Sequence, residues 1–540
     1  MDSQMDRRSW LARLGGILAA GSLVGKTSCS PGRKKETGAE MGKDYNHYFG
    51  DLHNHCNIGY AQGSVERVYE IAAGHLDFLA FTPHSHWHDV PIMEQDKQNK
   101  WLEGFEKTRK RWPDIQDLNE RYHEPGKFVT FPGYEWHSSE FGDFCIIFPT
   151  EDSPLTHYDS LKDLQEFAAK KGALLIPHHP AYLQGRRGAN PKHWDKRVSR
   201  LLEIYSEHGN AESDEGPLDY IRHSMGGRST PNTFQAVLAA GHRVGVLAST
   251  DDHLGYPGAY GEGLAVILAE QLTRESLFEA LKNRRTYGVT GDRIRLDFSL
   301  NGQIMGRELS FCAGRDIAVS VKGWDTVDKV EVLKNNRVIF RDFPVDNQPG
   351  SSLWSAPVIV RLELGWGPWA ALGMPRICDW EINVRINGGK LIDFQPCFQS
   401  GPLDEKRRNL VTGKSANGFK LRAYTSRLQA FAERATNAVV LKIQGDPDTE
   451  LVLDITRPGA QKVSRKLSEL LKSNEVVFTG PFPDESLIIH RVVPLAKAST
   501  SFTFRDEDSG ARDDWYYVRV TQTNGQLAWS SPIWVDKRAV

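Results

Sequence analysis

Short apolar runs recur between residues 46 and 250, and each stops at a residue able to bind a metal. "HYFG" leads into "DLHNH", "LDFLAFT" into "PHSHWHD", "KFVTFPGY" into Glu135 and "WHSS", "GALLIP" into "HHPAY", "LLEIYS" into "EHG", and "RVGVLAST" into "DDHLG". Runs of about four to eight residues rich in Val, Ile, Leu and Phe predict buried strands. Helical spacing fills several of the gaps. "SVERVYEIAAGH" (64–75) predicts a helix capped by Ser64, with Val65, Val68, Tyr69 and Ala72 on one face. "SLKDLQEFAAKKG" (160–172) has Ser160 as cap, Leu161, Leu164 and Phe167 as its stripe and Gly172 as its stop. "NTFQAVLAAGH" (232–242) repeats the arrangement. Strands alternating with helices predict parallel β/α units, and metal-capable residues after strand upon strand predict a barrel with its site on the C-terminal rim.

After about residue 295 the rhythm changes to β-branched alternation. "DWEINVRINGGKLIDFQP" predicts a hairpin across "NGG", and "WYYVRVTQTNGQLAWSSPIWV" alternates across "TNG". The fold class expected is therefore α/β, a barrel over 44–295, followed by a mainly antiparallel β-sandwich region over 296–540 with an inserted subdomain at about 346–480. Tryptophans 324, 354, 366, 369, 380, 515, 529 and 534 fall in this second region, as sandwich core or as a carbohydrate-binding face.

Histidine placement singles out the chemical part of the chain. Of 18 histidines, only His47 and His490 lie outside the span from His53 to His253. The net charge of −2 leaves no basic excess that would point to nucleic acid. Six cysteines without a CxxC pair make neither a disulfide framework nor a cysteine zinc site; one bridge, Cys378 with Cys397, is the pairing to check. Residues 1–43 read as a signal peptide and polar linker: Arg7 and Arg8 precede the apolar "LGGILAAGSLVG", of about 12 residues, too short to span a membrane. "DRRSWL" resembles a twin-arginine motif, so export to the periplasm or the extracellular space is expected, with Cys29 as a candidate lipid-anchor site.

The ordered set "DLHNH", "TPHSH", "GYEW", "HHP", "EHG" and "STDDH" resembles the PHP superfamily, named for its polymerase and histidinol phosphatase members, over residues 47–295. That resemblance implies a distorted (β/α)7 barrel that binds two or three divalent metals and hydrolyses phosphoesters. It implies His53, His55 and Asp251 as ligands of a first ion and Glu135 as a bridge between two ions. His179 and His208 would serve the second, with His178 as the alternative to His179, and His84 and His253 would serve a third. Asp51 is expected to orient a ligand imidazole. The chain departs from the family pattern at Pro83, where members usually carry Asp, and in "CNIGYAQ", which offers only Cys56, Asn57 and Gln62. Segments 280–306 and 514–536 are similar to an exported branch of the superfamily with no settled substrate.

Imidazole and carboxylate donors without thiolates suit Zn, Mn or Fe. Two ions bridged by Glu135 would bring the pKa of a bound water near neutrality, supply hydroxide and neutralise charge on the substrate's oxygens. Glu135 and Asp251 are thus the expected catalytic carboxylates, with His86, His88 or His137, outside the ligand set, as general acid. Arg186 and Arg187, in the loop after "HHPAY", and Tyr182 are the candidate substrate contacts. The function expected is an exported metal-dependent hydrolase of phosphoesters. A glycan-active enzyme (glycosidase, lyase or esterase) with the sandwich as accessory is the alternative, and a non-catalytic metal-containing binding protein the second.

Overall fold

The structure, a computed structural model, describes residues 45–222, 224–348, 350–368, 372–427 and 436–539. The readings made on the leader, including Cys29, lie outside the described residues, as does Trp369. It is a mixed α/β, strand-rich molecule. The N-terminal part runs β1 (Asn46–Asp51), α1 (Val65–His75), β2 (Phe78–Phe81), β3 (His84–Trp87), α2 (Asn99–Tyr122), β4 (Val129–His137), β5 (Phe144–Ile147), α3 (Leu161–Lys171), β6 (Leu174–Pro177), β7 (Leu201–Ser206), β8 (Gly209–Asn210), α4 (Phe234–Ala239), β9 (Gly245–Ala248), β10 (Leu264–Ala269), α5 (Arg274–Lys282) and β11 (Thr286–Val289).

The capping signals act as the sequence implies. The Ser64 hydroxyl accepts from Arg67 N, Ser160 from Asp163 N and Thr233 from Ala236 N, and Gly172 ends α3 with a φ of 68°. Helix α2 is the longest element that the apolar pattern leaves out. Its buried stripe of Phe105, Thr108, Trp112, Ile115, Leu118 and Asn119 is narrow, diluted by charged residues and interrupted by Pro113.

The expected closed barrel is not what the described residues form. The main sheet is open, in the order β11–β10–β1–β2–β4–β5–β6; β1, β2 and β4 run parallel, β3 pairs parallel with the end of β4, and the other pairings along this order are antiparallel. Strands β7 and β9 pair parallel in a separate three-stranded sheet with β8. The loop from Ser138 to Asp143 is too short for a crossover helix, so β5 turns back antiparallel on β4. Between β6 and β7 the chain makes a loop with one short turn at Pro191–His193 in place of a full crossover helix.

Strand β11 pairs antiparallel with Leu527–Ser530, so the main sheet continues into the C-terminal strands Asp514–Gln522 and Ile533–Val535. A second sheet of Arg295–Leu300, Gly314–Lys322 and Ser499–Glu507 covers it, and one apolar core runs through both regions, from Val266 and Tyr287 to Val319 and Val518. Strands from Val358 to Pro494 make two further sheets around Trp380, Val360, Leu441 and Leu453. Cys378 and Cys397 lie in different sheets of this pair and are both free thiols, so the bridge considered above is not formed. Residues 358–494 reach the N-terminal part: Glu405 accepts from Ser64, Arg408 pairs with Glu70, and Asn409 donates to Tyr256. No helix among the described residues is long and apolar enough to cross a membrane.

Candidate metal centre

The ends of β1 and β9 are zipped together, and this builds the floor of the site. His53 O accepts from Asp251 N at 2.8 Å, and Asp252 O accepts from His55 N at 2.9 Å. Asp51 lies beneath this junction. Its carboxylate accepts from the backbone N–H groups of His53 and Thr250 (both 3.1 Å), from Gly258 N at 3.0 Å and from the Thr250 hydroxyl. It therefore fixes two loops through their backbones and does not touch an imidazole. Burial pushes it up to about 6 despite these donors.

The imidazole of His53 is instead held by Glu203, whose Oε2 lies 3.0 Å from Nδ1. With that nitrogen donating, the Nε2 lone pair of His53 faces His55 Nε2 at 3.1 Å and Asp251 Oδ1 at 3.2 Å. His55 Nε2 is 2.9 Å from Asp251 Oδ1 and 3.4 Å from Glu135 Oε2, and His84 Nε2 is 3.5 Å from Glu135 Oε2. His208 Nε2 stands 2.9 Å from Asp251 Oδ2, with its Nδ1 at 2.9 Å from the Tyr182 hydroxyl. His253 Nδ1 lies 2.9 Å from Glu207. Adjacent His178 and His179 both enter the cluster: His178 Nε2 is 2.8 Å from Glu135 Oε1, and His179 Nε2 is 3.3 Å from Asp143 Oδ2. A φ of 29° at His179 turns neighbouring side chains to the same side, and Asp251 is likewise left-handed at 53°. Such strain persists only where surrounding structure imposes it.

Acceptors and lone pairs converge here without enough protons to satisfy them. Glu135 Oε2, His55 Nδ1, His84 Nδ1 and Glu203 Oε1 are sealed from solvent with no hydrogen-bond partner among the described residues. Burial holds His53 and His84 well below the usual imidazole range, against the pull of Asp251 and Glu135, which keeps their nitrogens available as donors to a metal. Burial opposes ionisation of Asp251 and Glu135 too, but the surrounding histidines hold both carboxyls well below their ordinary values. Among the described residues six groups have ligand atoms within 4.8 Å of one another, among them His53, His55 and Glu135; His55, His84 and His253; and Glu207, His208, Asp251 and His253. The donor set fits divalent ions held by nitrogen and oxygen.

Two expected residues lie elsewhere. A bulge after His84 shifts the register of β3, so His86 pairs across to Trp136 and Trp87 to His137. His86 then bonds Asp159 at 3.1 Å, and His88 stacks on Trp136 with centroids 5.1 Å apart. Neither touches the cluster. Arg186 is on the surface, donating to Ser224 O, whereas Arg187 is inside, paired with Asp143. Two buried acids escaped the sequence pattern. Asp143 precedes β5, but because that strand is antiparallel its beginning lies at the site. Glu203 sits within the run "LLEIYS", where a lone carboxylate between buried aliphatic residues was the available signal.

Residues 257–308, from the loop beyond His253 through β11 to Glu308, match a family described as a protein of unknown function, DUF3604. A Chlamydia muridarum protein, uncharacterized, is 25% identical over 259 residues, covering 43% of this chain and 41% of that one. An uncharacterized protein of Chlamydia pneumoniae is 25% identical over 270 residues, covering 45% and 43%. The chain thus spans about two fifths of the length of the curated relatives it matches. Among solved structures, a two-domain protein from Bacteroides vulgatus containing a predicted PHP-like metal-dependent phosphoesterase aligns at 12% identity with a TM-score of 0.29, over 81% of this chain and 100% of that one.

Proposed function

We propose that this protein is a metal-dependent hydrolase of phosphoesters. The observation that carries the reading is the convergence of His53, His55, His84, His208, Asp251 and Glu135 on one buried point, with lone pairs facing lone pairs at about 3 Å. A divalent cation would satisfy these donors together, and burial disfavours a proton on His53. When bound, divalent ions would acidify a water and neutralise charge on the substrate's oxygens. Glu135 would sit between two ions, and His53, His55 and Asp251 would hold one of them. With Glu203 accepting from Nδ1 of His53 and the Tyr182 oxygen accepting from Nδ1 of His208, Nε2 would be the ligand atom in each ring. Hydrolysis would break the ester P–O bond, put a water-derived hydroxyl on phosphorus and pass a proton to the leaving alkoxide.

The glycan reading has less support. Of the described tryptophans in the C-terminal region only Trp366 is exposed, at 52%; Trp324, Trp380, Trp529 and Trp534 are buried. Elemental analysis of the native protein, with parallel screening of aryl phosphates and aryl glycosides, tests the proposal. We expect bound metal and turnover of aryl phosphates, with His53→Ala and Glu135→Ala losing metal and activity while far-ultraviolet circular dichroism is unchanged. Full metal content in either variant, or turnover of glycosides but not phosphates, would overturn it.

A further inference from the structure

Arg187 lies within the cluster, held before any substrate arrives. Its Nε donates to Asp143 Oδ2 at 2.7 Å and Nη2 pairs with the same oxygen, while Nη2 also stands 2.9 Å from His137 Nδ1 and 3.9 Å from Glu135 Oε1. Trp87 backs the guanidinium, its ring centroid 5.0 Å away. The backbone at Arg187 is left-handed, with a φ of 68°, and its N–H is anchored on Ser139 O at 3.0 Å. At the next residue a Cβ on Gly188 would meet Tyr182 O at 1.9 Å, so the loop is packed and not a free lid. The hydrogen bonds of the guanidinium to the described residues run from Nε and Nη2, which leaves Nη1 for a ligand, and the side chain keeps 15% of its exposure. On its inner side the guanidinium faces His137 and Glu135. The cation is therefore turned towards the same cluster as the metal-capable histidines.

Asp143, Glu135, His178 and His179 have the spacing of a further metal group. Yet Asp143 is fully engaged: Oδ1 accepts from Ser138 N at 3.1 Å, and Oδ2 from Arg187, with His179 and His137 each at 3.3 Å. A divalent ion there would have to displace the guanidinium from that oxygen and share its surroundings with a fixed positive charge. Resting on the phosphoester reading above, we propose that Arg187 stands in for a cation on the Glu135–Asp143 side, and that Nη1 takes a terminal oxygen of a phosphomonoester. The oxygen count argues for the monoester. A diester has two terminal oxygens, which two ions can already serve; a monoester has a third, and a rigidly presented guanidinium suits it.

The test uses the full-length, metal-loaded protein, counting ions by elemental analysis and titrating inorganic phosphate calorimetrically. Wild type should hold two ions per chain. Arg187→Gln should weaken phosphate binding by about tenfold or more, as expected for a lost charge-assisted bond, and Arg187→Lys should restore part of it. With aryl substrates, Arg187→Gln should cut kcat/KM for the monoester about tenfold or more while that for the diester moves less than about twofold. Three ions in the wild type, unchanged phosphate affinity, or equal losses on both esters would overturn the inference. Should Arg187→Gln fail to fold, the wild-type ion count and Arg187→Lys decide it alone. A wild type without metal overturns the phosphoester reading and this inference together, whereas two ions with unchanged phosphate affinity overturns only the inference.

Discussion

At the residue scale, the site depends as much on carboxylates that hold ligands as on the ligands. Glu203 is buried, with one oxygen on His53 Nδ1 and the other without a hydrogen-bond partner of its own among the described residues. Its position explains why His53 presents Nε2 inward. Glu203→Gln should lower metal affinity about 10- to 100-fold with little change in fold, read by chelator competition; an unchanged affinity would show that packing alone orients the ring. A second residue-scale prediction concerns Lys442, whose ammonium lies 3.8 Å from the Trp324 centroid. Burial pushes it down from 10.5 to about 8. Between those values the unfolded chain binds the proton that the folded chain lacks, so stability rises with pH across that window. Wild type should accordingly gain on Lys442→Met between about pH 8 and pH 10 in urea melts, and a constant difference would contradict the assigned shift.

At the element scale, short irregularities decide which side chains reach the cluster. Strict alternation on β3 would place His84 and His86 on one face, but the bulge carries His86 out to Asp159 and brings Trp87 in beside His137. Strand β4 has no such break, so Glu135 and His137 share the site face while Trp136 packs against His88 behind. The loop after β6 is fixed by close backbone approach at Gly188. Gly188→Ala should therefore cost about 1–3 kcal/mol or more in urea melts, and should also misplace Arg187. A melt indistinguishable from wild type would mean that the loop can open without penalty.

At the scale of the whole molecule, the N-terminal and C-terminal parts share both a sheet and a core. Because β11 pairs with Leu527–Ser530, and Tyr287 packs in the same core as Val319 and Val518, a chain ending at residue 295 would leave a sheet edge and an apolar face exposed. Such a fragment should fail to give a cooperative melt or a native near-ultraviolet circular dichroism spectrum; a cooperative fragment would show that the shared sheet is dispensable. Residues 398–409 also hold the loop beyond Asp251 and His253, through Asn409 to Tyr256, Phe398 O to Tyr260 N, and Ser400 to Glu262.

What the sequence determined by itself is local. The apolar runs became strands, the Ser caps began helices, and His53, His55, Glu135, His179 with its neighbour His178, His208 and Asp251 stand at or near the ends of buried strands. These features depend on a few neighbouring residues, so periodicity and capping chemistry suffice to find them. Tertiary structure decided the rest. Whether β5 ran parallel or back on β4 determined that Asp143 belonged to the site, and the register of β3 determined that His86 did not. Only packing set Arg187 apart from Arg186 and gave Glu203 its hold on His53. Those outcomes rest on pairings between residues far apart in the chain, and a one-residue change in register moves a side chain to the opposite face.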